Sequence, residues 1–79
     1  YPNPFNHYVS IKFENLVARH LMIEVIDISG RNICTLMDNI IGIGEHDITW
    51  DAGAQSSGIY FFKIKSIDDF AIRKALFIK

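Results

Sequence analysis

Apolar and polar positions alternate with a period of two along most of the chain, the signature of strands with one face buried. Over residues 8–13, Val9, Ile11 and Phe13 alternate with Tyr8, Ser10 and Lys12, which predicts a strand that turns Val9, Ile11 and Phe13 inward. Residues 21–28 alternate Leu21, Ile23 and Val25 with Met22, Glu24 and Ile26, and residues 31–37 are expected to return antiparallel. Over residues 45–50, His46, Ile48 and Trp50 alternate with Glu45, Asp47 and Thr49, and Trp50 is the strongest single core candidate. Residues 58–65 form the clearest strand: Lys63 and Lys65 mark one face as wet, which places Tyr60, Phe62 and Ile64 inside. The last strand, residues 70–79, carries Arg73-Lys74 and then Ala75-Leu76-Phe77-Ile78, apolar on both sides. Such a strand is either covered on both faces or presents one as a contact surface.

The breaks between these runs have turn chemistry. In Asp27-Ile28-Ser29-Gly30-Arg31, aspartate at the first position of a type I turn and glycine at the fourth predict a three-residue hairpin loop with a bulge. Asp38-Asn39 predicts a further turn, Gly42 and Gly44 bracket a connection, and Asp68-Asp69 forms a short turn. Residues 14–20 read as a polar connection whose Leu16 and Val17 close one end of the core. Residues 51–58 are small and polar, a loop joining strands across the fold. The opening residues 1–7 form a stiff lead-in, because Pro2 and Pro4 fix φ and push the residues before them into extended conformations. Strands at roughly 10-residue spacing, with no helical period, predict an all-β fold. A small antiparallel sandwich of six to seven strands fits this spacing, with a barrel as the alternative.

Composition agrees and narrows the function. Of 79 residues, 29 are β-branched or aromatic, 14 of them isoleucine, against nine leucines and alanines. Branched and aromatic side chains lose χ1 freedom in a helix and pack well on a pleated surface. This length makes one domain, and a chain of its size buries only ~60 % of its unfolded surface, which leans against a deep catalytic cavity. Eight basic against nine acidic residues give no field strong enough to imply nucleic-acid binding or attraction to an anionic membrane. No stretch approaches the ~18 apolar residues of a membrane span, so stable membrane insertion is not expected. The first residue is Tyr1 rather than methionine, which favours a fragment of a longer protein.

Candidate chemistry is sparse. His7, His20 and His46 lie 13 and 26 residues apart and, with a single cysteine, make no recognisable zinc spacing. Asp27-Ile28-Ser29-Gly30 departs from the aspartic-protease Asp-Ser-Gly by an extra isoleucine and has no second copy. The glycine and serine run at residues 53–58 misses the Gly-x-Ser-x-Gly elbow and its strand-turn-helix context. Cys34 sits mid-strand between Ile33 and Thr35 and reads as a buried, inert thiol. Gly42-Ile43-Gly44 lacks the following helix that phosphate cradling needs. The aromatics Phe61 and Phe62 fit core packing better than a stacking platform. No catalytic residue, cofactor or metal is expected.

Several segments taken in order carry a resemblance. They are Tyr1-Pro2-Asn3-Pro4-Phe5-Asn6, the strand and turn of residues 23–31, residues 46–51 ending in Trp-Asp, Ser57-Gly58-Ile59-Tyr60-Phe61, and a basic, apolar, basic finish at Arg73-Lys74 and Lys79. Over its whole length the chain resembles the type A C-terminal sorting domain of the type IX (Por) secretion system, found on exported proteins of Bacteroidetes and relatives. The resemblance implies an immunoglobulin-like sandwich that acts as a non-enzymatic export address for an upstream cargo. It implies partners in the outer-membrane translocon, shuttle and sortase components, and a location in the periplasm in transit and then at the cell surface or outside. The family motif positions map onto Pro2, Asn3, Pro4, Gly58, Tyr60, Lys74 and Lys79. His7-Tyr8-Val9-Ser10 stands where the family has a polar Pro-Ser-Thr run, and the connection near residues 52–57 is short.

The same motif has a physical reading. Pro2 and Pro4 stiffen a junction, Gly58 allows a backbone geometry that a side chain would block, and Tyr60 buries its ring while its hydroxyl finds a backbone acceptor. The last strand, apolar on two faces with an unpaired edge, suits strand addition to a partner. An immunoglobulin- or fibronectin-like accessory or spacer module in a multidomain extracellular protein is the alternative function. A small hydrolase would need a site that the sequence does not supply.

Overall fold

The computed structural model describes residues 7–79, and the lead-in prolines Pro2 and Pro4 with Asn3 lie outside the described residues. Six strands follow one another: β1 (Tyr8–Asn15), β2 (Arg19–Asp27), β3 (Asn32–Ile41), β4 (Gly44–Asp51), β5 (Gly58–Lys65) and β6 (Phe70–Phe77). Among the described residues there is no helix. β1 and β4 make a two-stranded sheet, and the other four make a sheet of order β3-β2-β5-β6, every pairing antiparallel. The fold is therefore the small all-β sandwich that the alternation predicts.

Register decides what enters the core. In the small sheet Val9 faces Trp50, Ile11 faces Ile48 and Phe13 faces His46. In the large sheet Ile23 faces Ile64 and Val25 faces Phe62. Trp50 reaches from the small sheet into the large one, meeting Tyr60 edge-on at 5.0 Å, Phe62 at 6.2 Å and Phe77 at 6.4 Å between ring centroids. Offset and edge arrangements of this kind suit the ring quadrupoles and add to the gain from burial. Leu21, Ile23, Val25 and Phe62 are fully or almost fully buried beneath them.

The hairpin at residues 27–31 forms as expected. Gly30 takes the left-handed conformation at φ 89°, and its amide donates to the Asp27 carbonyl. The Asp27 carboxylate accepts from the Ser29 hydroxyl and amide and from the Arg31 amide and Nε. These bonds, the Ser29 hydroxyl first, hold its carboxyl below the ordinary aspartate range against a smaller opposing effect of desolvation.

Three expectations are corrected. Asp38-Asn39 is not a turn: β3 runs on to Ile41, Asp38 pairing with Met22 and Asn39 with Leu21, and the Asp38 carboxylate meets His20 at 2.6 Å. The reversal comes instead at Gly42-Ile43, where Gly44 has φ 128°, a conformation that side chains disfavour. Residues 14–20 are mostly strand, and Leu16 and Val17 stand in the short β1–β2 link, 77 % and 55 % exposed, so they close nothing. The last strand ends at Phe77 rather than Lys79; of the two alternatives for its faces, the structure covers one and leaves the other open, with Ala75 and Phe77 buried and Leu76 and Ile78 exposed.

Asn15, placed by the sequence reading in a polar connection, is a buried clamp. Its Nδ2 donates to the carbonyls of Ile41 and Gly42 at 3.0 and 2.9 Å, tying the end of β1 to the β3–β4 turn. Replacing it with leucine strands two carbonyls and should cost about 1–3 kcal/mol. Asn15→Asp should cost more at neutral pH, because a carboxylate would face those carbonyls, and should regain stability as acid protonates it. Urea midpoints at pH 7 and pH 5 check both. Asp27 predicts the opposite pH trend. Its native carboxyl ionises more readily than the unfolded one, so its stabilisation is complete above the ordinary value of 3.8 and is lost as pH falls through the lower native value. Asp27→Asn should therefore flatten the acid limb of the stability curve below about pH 4, measured by thermal melts.

Candidate recognition surface

The β4–β5 loop gathers both ends of the described chain at one end of the sandwich. The His7 carbonyl accepts from the Ala52 amide at 2.8 Å, and its ring stands edge-on to Phe77 at 6.4 Å. A Cβ on Gly53 would come within 2.9 Å of His7 Nδ1, so this glycine lets the His7 ring lie close against the loop. From the other end, the Lys79 amide donates to Ser57 Oγ at 2.8 Å. Tyr60 fixes the loop from below: its ring is buried and its hydroxyl donates to the Ser56 carbonyl at 2.6 Å. This is the role that sequence reasoning gave it. The physical role given to Gly58 is corrected: it begins β5 without a positive φ, and nothing lies within 4 Å of a Cβ added there.

The two outer faces of the sandwich differ in chemistry. Alternation puts Glu14 of β1 and Glu45, Asp47 and Asp51 of β4 on the outside of the small sheet, with Lys12 the basic residue among them. On the outside of β5 and β6, Ile59 lies opposite Leu76, Phe61 opposite Lys74, Lys63 opposite Ile72 and Lys65 opposite Phe70. Lys63 Nζ sits 5.1 Å from the Phe70 ring centre, and Lys65 is bound to Glu24 of β2 at 3.1 Å. Neither β5 nor β6 contains an acidic residue. Lys74 is thus an exposed cation set among apolar side chains, while Lys79 lies past the end of β6.

Among the described residues no group of three or more His, Cys, Asp or Glu side chains is placed to hold a metal ion. An open groove of about 670 Å³ lies between the β1–β2 and β5–β6 links, but Arg19 on its wall pairs with Asp69, His20 with Asp38 and Lys65 with Glu24. The three histidines work in separate places: His46 stacks on Phe13 at 5.6 Å, its Nε2 2.9 Å from the Gly42 carbonyl, while His20 and His7 have the partners given above. Cys34 is half-buried on β3 rather than fully buried, and the loss of solvent pushes its thiol up, away from the reactive thiolate.

The glycines give a direct test of which positions are conformationally constrained. Gly30→Ala should destabilise by about 1 kcal/mol or more because φ is positive there, whereas Gly58→Ala should be near neutral in a thermal melt.

Comparison with protein families gives one match, to the secretion system C-terminal sorting domain, and it spans residues 1–79. No curated protein and no solved structure matches significantly. The match covers the proline lead-in, the Asp27 hairpin, the Gly58-to-Phe61 strand and the basic last strand alike, so the chain belongs to the C-terminal sorting domain family of type IX secretion.

Proposed function

We propose that this domain is a non-enzymatic export address, continuous through residues 1–7 with an upstream cargo that it directs across the outer membrane to the cell surface. The family match over residues 1–79 carries the reading. In it, Pro2, Asn3 and Pro4 stiffen the junction to the cargo, Tyr60 fixes the β4–β5 loop, and Gly58 is a motif position at the start of β5. Lys74 and Lys79 make recognition contacts with the outer-membrane translocon, and shuttle and sortase components act on the domain afterwards. The cargo-bearing protein passes through the periplasm and ends on the surface or outside the cell.

The face chemistry supports a role in recognition. Ala75 and Phe77 hold the last strand in the core, leaving Lys74, Leu76 and Ile78 free to be read from outside. A family of docked partners needs such a surface, and a catalyst would need convergent polar groups instead.

The test fuses residues 1–79 to a periplasmic reporter in a host with type IX machinery and measures reporter on the cell surface. The intact fusion should be displayed, and one lacking residues 74–79 should remain in the periplasm. Because that deletion also removes Phe77 from the core, Lys74→Glu with Lys79→Glu is the companion variant, expected to fold normally and to lose display. Normal surface levels from both variants would remove the reading.

A further inference from the structure

The large sheet has two edges, and only one is bulged. β3 is bulged twice: the pairing jumps from Ile23–Met37 to Glu24–Thr35 and again from Val25–Cys34 to Ile26–Asn32, leaving Leu36 and Ile33 as extra residues. Its far half carries Asp38 and Asn39. Bulges and polar residues are the devices by which sheet edges avoid pairing with other chains. β6 has neither. It runs for eight residues in unbroken register with β5, without glycine or proline, and among the described residues no strand pairs with its other side. Phe70, Ile72 and Leu76 stand exposed along its outer face, and five of the chain's eight lysines and arginines, Lys63, Lys65, Arg73, Lys74 and Lys79, lie in β5, β6 and the two residues after it.

We propose that the free edge of β6 takes up an extended segment of a partner protein in which acidic and apolar residues alternate. The backbone groups of β6 that point away from β5 supply the ladder. On the outer face the added strand lies beside Ile72, Lys74 and Leu76, so its apolar side chains extend the exposed stripe and an acidic one meets Lys74. On the other face Arg73, whose Nη1 already donates to the Lys12 carbonyl of β1 at 3.3 Å, stands where a second acid would arrive. An equally basic strand would be repelled at both points, which sets the partner's charge. A second copy of this domain fits poorly, since its acidic face, on β1 and β4, lacks an apolar stripe. Residues 1–6 of the chain fit poorly as well, because two prolines remove donors a ladder needs. The proposal deepens the export reading and rests on it for placing the partner in the transport machinery.

The experiment titrates the isotopically labelled 79-residue chain with a ten-residue peptide alternating glutamate and valine, with the same peptide carrying lysine for glutamate, and with phosphatidylglycerol vesicles. Backbone amide shifts and hydrogen exchange are read residue by residue. The glutamate peptide should slow exchange at every second amide of β6 and leave β3 unchanged. Lys74→Glu, with an unaltered melting curve, should weaken it at least about tenfold, the scale of one close charge pair, and should admit the lysine peptide. Equal binding of the two peptides, unchanged β6 amides, or a response to vesicles alone would overturn the proposal. So would β6 amides that are already slow in the free chain and become fast when residues 1–6 are removed. Loss of this binding in a domain that is still displayed on cells would leave the export reading standing, so the two fail separately.

Discussion

The indole of Trp50 is the contact on which the rest of the molecule depends. Two strands alone are marginal in water and need a second layer against which to bury an apolar face. β1 and β4 meet that need chiefly through Trp50, whose ring lies against Tyr60, Phe62 and Phe77 from two strands of the opposite sheet. With ~60 % of its unfolded surface buried at best, a domain of this length has no reserve core. Internal positions are therefore committed to packing.

That commitment explains why the outer faces can differ so much. The small sheet is acidic and polar outside, as expected of a solvated face. The β5–β6 half of the large sheet is basic and apolar, and its edge strand lacks the defects that protect β3. Leu76 and Ile78 contribute nothing to the core at 62 % and 70 % exposed.

The Asp27 hairpin and the β4–β5 loop were unequally legible. Asp27, Ser29 and Gly30 form a local circuit within five residues, so the sequence pattern alone specifies the turn. Tyr60 was placed correctly because a strand's alternation fixes its side and a buried phenol needs an acceptor. Asn15 was missed, since its partners, the carbonyls of Ile41 and Gly42, are distant in sequence and carry no residue-specific signal. Gly58 was misjudged for a related reason: a glycine letter does not say whether its φ is positive, and the constrained glycines prove to be Gly30 and Gly44.

By itself the sequence determined the class of fold, the inward residues of β1, β2, β4 and β5, the main hairpin and the family, because period-two alternation and turn chemistry are local properties. Only the tertiary structure decided where β3 ends, that Leu16 and Val17 face water, and the order of strands in each sheet. Asp38 and Asn39 have turn-forming side chains, yet Met22 and Leu21 across the ladder hold them extended. An unpaired edge on the last strand was already expected from the sequence, but the order β3-β2-β5-β6 that puts it there is set by which apolar faces meet across the sandwich, a property of long-range packing.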